Sequence, residues 1–239
     1  MAADEQPVAS VWTRPQRRRE QPALSRAQIV AEALDLLDTE GIEALSMRKL
    51  GARLDAGATS LYRHVANKDE LLELAVDEVY GQIEVPDLWG RDWRAAVTVC
   101  AESARAVLVK HTWIASVLGQ VGLSYLGPNV MRLNERMLGL FEAAGFGLAE
   151  ADLALSTVMA YVIGTGTTEA AWLTTLARSG HTEQDWVDRL RPAAIEATKP
   201  YPRLHKLATG AETDAATARG DGFRYGLDRV LDGLAARLG

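Results

Sequence analysis

One cysteine, Cys100, stands among 239 residues, so no disulfide can close within the chain. Its neighbours Val97, Val99, Ala101 and Ala104 point to an inert, buried thiol. There is no Cys-x-x-Cys, and the four histidines are isolated from one another, which removes the usual zinc and redox patterns. Enzyme signatures are missing too: no Gly-x-Ser-x-Gly, no His-Glu-x-x-His, no phosphate loop and no dinucleotide fingerprint. Gly164-Thr-Gly166 is the nearest Gly-rich fragment, and it lies inside an apolar helical pattern. The chain is therefore not expected to be an enzyme, nor to hold a metal or a cofactor.

The first thirty residues contain no apolar run, so no signal peptide is expected and a cytoplasmic location is the default. The longest uncharged stretch, Leu153 to Thr168, is sixteen residues. A spanning helix needs about 20 apolar residues. This run is shorter, rich in Thr and Gly, and preceded by Glu150 and Asp152. It reads as a helix buried within protein, and no membrane partner is expected.

Strand-like alternation between hairpin turns is absent, and no repeat is visible, so the fold class is all-α. Residues 1–24 form an arm with three prolines and no apolar period. Residues 25–84 hold a run of short helices. Ser25 with Gln28 makes a capping box, Ile29, Ala33, Leu36 and Leu37 follow at helical spacing, and Gly41 provides a left-handed stop. Ser46 caps a second helix that buries Leu50 and Leu54. Asp55-Ala-Gly57 makes a turn, Thr59 to His64 a third helix, and Asn67 with Glu70 a capping box for a fourth.

Pro86-Asp-Leu-Trp-Gly90 is the break before a second helical domain, residues 85–239. Its helices are expected over 93–110, 113–118, 129–144, 150–178, 185–197 and 221–238, with Lys199-Pro-Tyr-Pro202 as a break.

The net charge is −6, from 26 basic and 32 acidic residues, which argues against a histone-like coat on DNA. Positive charge is nevertheless concentrated early: residues 12–68 carry ten Lys and Arg against seven Asp and Glu. Residues 46–68 read as two short helices joined by a tight turn, with a polar, aromatic and basic surface on the second. A helix-turn-helix uses such a surface to enter the DNA major groove.

Thr59 and Ser60 supply small hydroxyls that let a helix backbone approach base edges or phosphates; their other role would be to cap the helix. His64 can donate to a phosphate or pack locally, and Arg63 can reach phosphate or base or stay solvated. Arg14, Arg17, Arg18 and Arg19 would be solvated charges alone, but beside a helix-turn-helix they suit the adjacent minor groove.

Ala33-x-x-Leu36-Leu37-x-x-x-Gly41, Ser46-Met-Arg-Lys-Leu50 and Ser60-Leu-Tyr-Arg-His-Val65-x-x-Lys68-x-x-Leu71-Leu72 resemble the DNA-binding domain of the TetR family of bacterial transcriptional regulators. Gly127-Pro128-Asn129 and Phe141-x-x-x-Gly145-Phe146 are similar to the C-terminal domain of the tetracycline-repressor branch. The Arg-bearing arm is similar to that of actinomycete regulators of antibiotic export. The resemblance implies that Arg48 reads a base and that Tyr62 and Lys68 contact phosphates; a buried Tyr62 and a merely solvated Lys68 are the alternatives. Asp55 departs from the usual glycine, and Met47 stands where the family often has a phosphate-binding hydroxyl.

The resemblance further implies a homodimer on a palindromic operator, joined through the long helix and the last helix. Val158, Val162, Thr165, Leu227, Val230, Leu231 and Leu234 are the interface candidates, and each could equally be intrachain core. It also implies a ligand cavity among the middle helices, for which Trp113, Met131, Asn134, Met137, Tyr161, Thr168 and Trp172 are candidate lining, with plain core as the alternative. The branch's magnesium-tetracycline site uses histidines. His111 has no evident second ligand, so neither metal nor tetracycline is expected.

The function expected is a ligand-responsive, sequence-specific regulator of double-stranded DNA. Family habit makes it a repressor, released by a small apolar molecule such as an antibiotic or a metabolite. The alternatives are a ligand-independent regulator or an activator, with an all-α enzyme more remote.

Overall fold

The reciprocal bonds between Ser25 and Gln28 start the first helix: the Gln28 N–H donates to the Ser25 hydroxyl at 3.2 Å and the Ser25 N–H to Gln28 Oε1 at 2.9 Å. A computed structural model describes residues 24–86, 92–118, 127–210 and 214–238, and all regular elements among them are helices. The N-terminal set is α1 (Arg26–Glu40), α2 (Met47–Arg53), α3 (Ala58–Leu61) and α4 (Lys68–Tyr80). Ile29, Ala33, Leu36, Leu50, Leu61 and Val76 close its core without measurable exposure. Gly41 stops α1 with φ +81 and ψ 175, an extended positive-φ conformation open essentially to glycine, not the compact left-handed cap expected.

The second set is α5 (Trp93–Lys110), α6 (Pro128–Ala144), α7 (Leu148–Ser179), α8 (Glu183–Thr198), α9 (Pro202–Gly210) and α10 (Ala215–Ala235). A 3-10 turn, Thr112–Ser116, follows α5. α7 is the central post. It packs against α5, α6, the 3-10 turn and α10. Among the described residues it alone has the length and apolarity to cross a membrane, but Ala151, Ala154, Leu155, Val158 and Val162 along it are buried by those neighbours. A Cβ on Gly166 would sit 2.8 Å from Leu108, so this glycine lets α5 and α7 touch closely.

Two differences from the sequence reading stand out. The Lys199-Pro-Tyr-Pro202 break is short, because Pro202 occupies the first position of α9, where its missing N–H costs nothing. α10 starts six residues earlier than expected, since Asp214 caps it by accepting from the Thr217 N–H at 2.9 Å.

Candidate nucleic-acid interface and ligand cavity

The turn between α2 and α3 is closed by the Ala56 N–H donating to Gly51 O at 2.8 Å. A Cβ on Gly51 would lie 2.7 Å from Ala56 O, so only glycine fits beneath the turn. Asp55 takes the left-handed conformation, φ +48, as its place in the turn requires. α3 is shorter than expected: Tyr62 ends it, and the N–H groups of His64 and Val65 both bond back to Leu61 O in a closing turn. Leu54 lies just past α2 and is half-buried.

Gly57 is the α3 N-cap and no side chain caps this end, so the Thr59 and Ser60 hydroxyls are not used there. Thr59 is exposed and Ser60 half-buried. Tyr62 is 52% exposed, which rules out a core role. Arg63 is exposed and His64 half-buried. Met47 points inward at 9% exposure, so its position presents no group to a nucleic acid.

The cations of this region divide into two sets. Lys49 pairs with Glu40, and Arg53 with Glu32 and Asp35, tying α2 to α1. Arg48 and Arg63 are exposed and have no carboxylate partner among the described residues. Lys68, in the first turn of α4, reaches Ile42 O at 3.4 Å and no carboxylate among the described residues. Unneutralised charge is thus left on α2 at Arg48, just after α3 at Arg63 and at the start of α4 at Lys68. Arg14, Arg17, Arg18 and Arg19 lie outside the described residues.

Two buried polar links join this unit to the second domain. Asp77 on α4 accepts the Asn129 and Val130 N–H groups at 3.0 and 3.1 Å, and so caps α6 from another helix. A Cβ on Gly127 would overlap the Asp77 carboxylate. The other link centres on His111, at the end of α5. Its Nδ1 is 2.7 Å from Asp38 on α1, its Nε2 is 3.1 Å from Gln82 Oε1, and the Trp113 indole N–H donates to Asp38 at 2.8 Å. No three His, Cys, Asp or Glu side chains gather to hold a metal among the described residues.

A cavity of about 400 Å³ lies between α5, α7 and α10. Tyr161, Thr168 and Trp172, all proposed from sequence, line it. Trp113 and Met137 do not; they are 4% and 0% exposed in the core. Met131 is exposed and Asn134 half-buried on α6, away from the lining. The charged lining is the part that sequence reasoning missed: Arg105, Glu169 and Arg219.

Glu169 Oε2 accepts from Arg105 Nε at 2.6 Å, and Oε1 from Arg105 Nη2 at 2.9 Å and Arg219 Nε at 2.7 Å. Arg219 also pairs with Glu183, which the Trp172 indole N–H contacts at 3.0 Å. Burial works against the Arg219 charge, but the bonds to Glu183 and Glu169 outweigh it and hold its pKa above the ordinary range. Burial raises the Tyr161 phenol against the lowering effect of the Arg105 cation, and its O–H donates to Phe223 O at 2.9 Å. One sequence signal was available: Glu169 ends a sixteen-residue uncharged run, and a lone acid in an apolar helix needs a partner.

Of the interface candidates, Val158, Val162, Leu227 and Leu231 are buried within the single chain and form its core, leaving nothing for a partner to cover. Thr165, Val230 and Leu234 are half-buried. Outside the cavity lining, the outward faces instead carry Leu153 and Ala160 on α7, and Tyr225 and Gly233 on α10 among the exposed Arg224, Asp228, Arg229 and Asp232.

Comparison with known proteins agrees with this geometry. The family model for bacterial regulatory proteins of the tetR family matches residues 29–75, and the tetracyclin repressor-like C-terminal domain matches residues 85–238. An HTH-type transcriptional regulator of Saccharopolyspora erythraea is 41% identical over 164 residues, 68% of this chain and 69% of the relative. The HTH-type transcriptional repressor DrrR1 of Streptomyces coeruleorubidus is 33% identical over 218 residues, 91% of this chain and 79% of the relative. The crystal structure of the Streptomyces coelicolor TetR family protein ActR in complex with actinorhodin has a TM-score of 0.73 and 31% identity, covering 90% of this chain and 99% of that one.

Proposed function

The chain belongs to the tetR family of bacterial regulatory proteins, and from that premise we propose that it is a cytoplasmic, ligand-controlled transcriptional repressor without enzymatic activity. Two copies bind a palindromic operator, and a small molecule in the α5–α7–α10 cavity releases them. DrrR1 is a transcriptional repressor, and the TetR family protein ActR forms a complex with actinorhodin; both support this direction.

Reading falls to Arg48 and to the surface of Thr59, Ser60, Tyr62, Arg63, His64 and Lys68. An arginine is suited to bidentate contact with guanine, and hydroxyls and lysine to phosphates. The Arg14, Arg17, Arg18 and Arg19 arm adds charge in the neighbouring minor groove. The partner copy docks on the exposed side of α7 and α10, around the apolar Leu153 and around Tyr225, which stands among the charged Arg224, Asp228 and Arg229.

The observation that carries ligand control is the Asp77 cap on α6. A shift of α6 cannot leave α4 in place without breaking buried bonds to the Asn129 and Val130 N–H groups. A ligand held by α5 and α7, both of which pack on α6, therefore changes the separation of the two reading heads if it favours one α6 position, by differential affinity for two states.

The test is selection of DNA fragments by the purified full chain at near-physiological salt, with extracts of candidate metabolites added to the bound pool. Recovery of a palindromic site and its release by a small molecule is the expected result. Binding without sequence preference, or a tightly bound ligand that leaves operator affinity unchanged, would sink the reading.

A further inference from the structure

The cavity's unused hydrogen-bond donors and its rings define the class of molecule it takes. Its charged groups balance, Arg105 and Arg219 against Glu169 and Glu183, the last paired with Arg219 and bonded to Trp172 at the edge of the lining. Glu169 is already engaged by three guanidinium N–H donors. It is therefore a poor anchor for a ligand cation.

The arginines keep donors in reserve. Arg105 uses Nε and Nη2 on Glu169, and Arg219 uses Nε and Nη1 on Glu169 and Glu183. Arg105 Nη1 and Arg219 Nη2 have no acceptor among the described residues. The Arg105 guanidinium is fixed by two means, its fork on Glu169 and its stack over the Phe223 ring at 4.8 Å. Ordered donors of this kind lose little entropy when an acceptor arrives. Beside them stand the half-buried rings of Tyr161 and Trp172, while Phe223 is buried, with Arg105 stacked over its ring and Tyr161 tilted against it by 32° at 5.6 Å.

Resting on the ligand-controlled reading above, we propose that the effector is a flat aromatic molecule with an anionic or strongly hydrogen-bond-accepting oxygen group on one edge, recognised by Arg105 and Arg219. This narrows the expectation of a merely apolar ligand. Glu169 is a positioning residue: it holds both guanidinium groups in register without touching the ligand. The rings supply contact area, and the arginine pair selects for the acidic edge.

Two fluorescent probes of similar shape separate charge recognition from apolar binding. They are 8-anilinonaphthalene-1-sulfonate and its uncharged analogue N-phenyl-1-naphthylamine, titrated into the full chain. Thr168→Trp, which fills the cavity from its α7 wall, reports where they bind. Arg105→Gln is expected to raise the dissociation constant for the sulfonate by about tenfold or more, and that for the amine by less than roughly threefold. Arg219→Gln, made separately, gives the same sign if either variant folds poorly, and Arg105→Lys restores part of the loss. Thermal melts identify a variant that fails to fold.

Equal effects on both probes, or none on the sulfonate, would overturn recognition of an acidic edge while leaving the cavity as a ligand site. Failure of both probes to bind in a Thr168-dependent way would remove the cavity itself, and the ligand-controlled reading with it.

Discussion

The Asp77 carboxylate, three residues before the end of α4, accepts the backbone N–H of Val130, in the first turn of α6, at 3.1 Å. A buried acid thereby satisfies the positive end of a helix in the other domain. The arrangement depends on Gly127, whose missing side chain leaves room for the carboxylate.

Asp77→Asn keeps the shape but removes the charge on the α6 terminus. Stability is expected to fall by about 1 kcal/mol. Gly127→Ala forces α4 and α6 apart and should cost more, about 1–3 kcal/mol. Urea unfolding measures both. On the proposed coupling, each variant should also narrow the ratio of operator affinities without and with ligand; an unchanged ratio would mean that the signal takes another route.

Arg48→Ala is expected to lower operator affinity by about 1–3 kcal/mol and to relax base preference at one position per half-site. Arg63→Ala should weaken all sequences alike and reduce the salt slope by about one. Lys49→Ala is the control, since Lys49 is occupied by Glu40 and faces α1. Binding curves at several salt concentrations separate the three.

Leu153→Arg places a charge on the exposed α7 face and should raise the dimer dissociation constant by about a hundredfold without unfolding the chain. Val158→Arg, five residues on but 1% exposed, is expected to unfold it instead. Sedimentation with circular dichroism distinguishes these outcomes. A stable dimer in Leu153→Arg would move the interface elsewhere.

Burial pushes the Cys100 thiol from 9.0 up to about 12, so the native chain should be inert to a disulfide reagent at pH 8, and one thiol per chain should appear on denaturation. The folded state holds this proton more tightly than the unfolded state. The associated stability is complete below pH 9.0 and is lost as the pH rises towards about 12. Reaction of the native thiol at pH 8 would show that α5 opens locally.

Gly51→Ala should disturb the turn that presents α3, because the new methyl would meet Ala56 O at 2.7 Å. Operator affinity is expected to fall with a stability loss of about 1–3 kcal/mol. Near-normal binding would mean that the turn yields at little cost.

What the sequence determined alone is local. The Ser25 and Gln28 box, the Ser46 cap, Pro128 at the start of α6 and Gly145 in the left-handed conformation at its end are decided by residues within a turn or so of one another. The helical period of apolar residues then settles the all-α class and the N-terminal core, because α1 and α4 each have one buried stripe. The tertiary structure decided what local pattern leaves open. α7 is apolar around much of its circumference, so periodicity cannot say which side meets α5 and α6 and which is left outward. That is why Val158 and Val162 are core while Leu153 is exposed. Glu169 finds Arg105 and Arg219 from 64 and 50 residues away, and Asp77 finds Val130 from 53. Such pairings depend on where helices cross, and they carry the cavity's charge and the coupling between the domains.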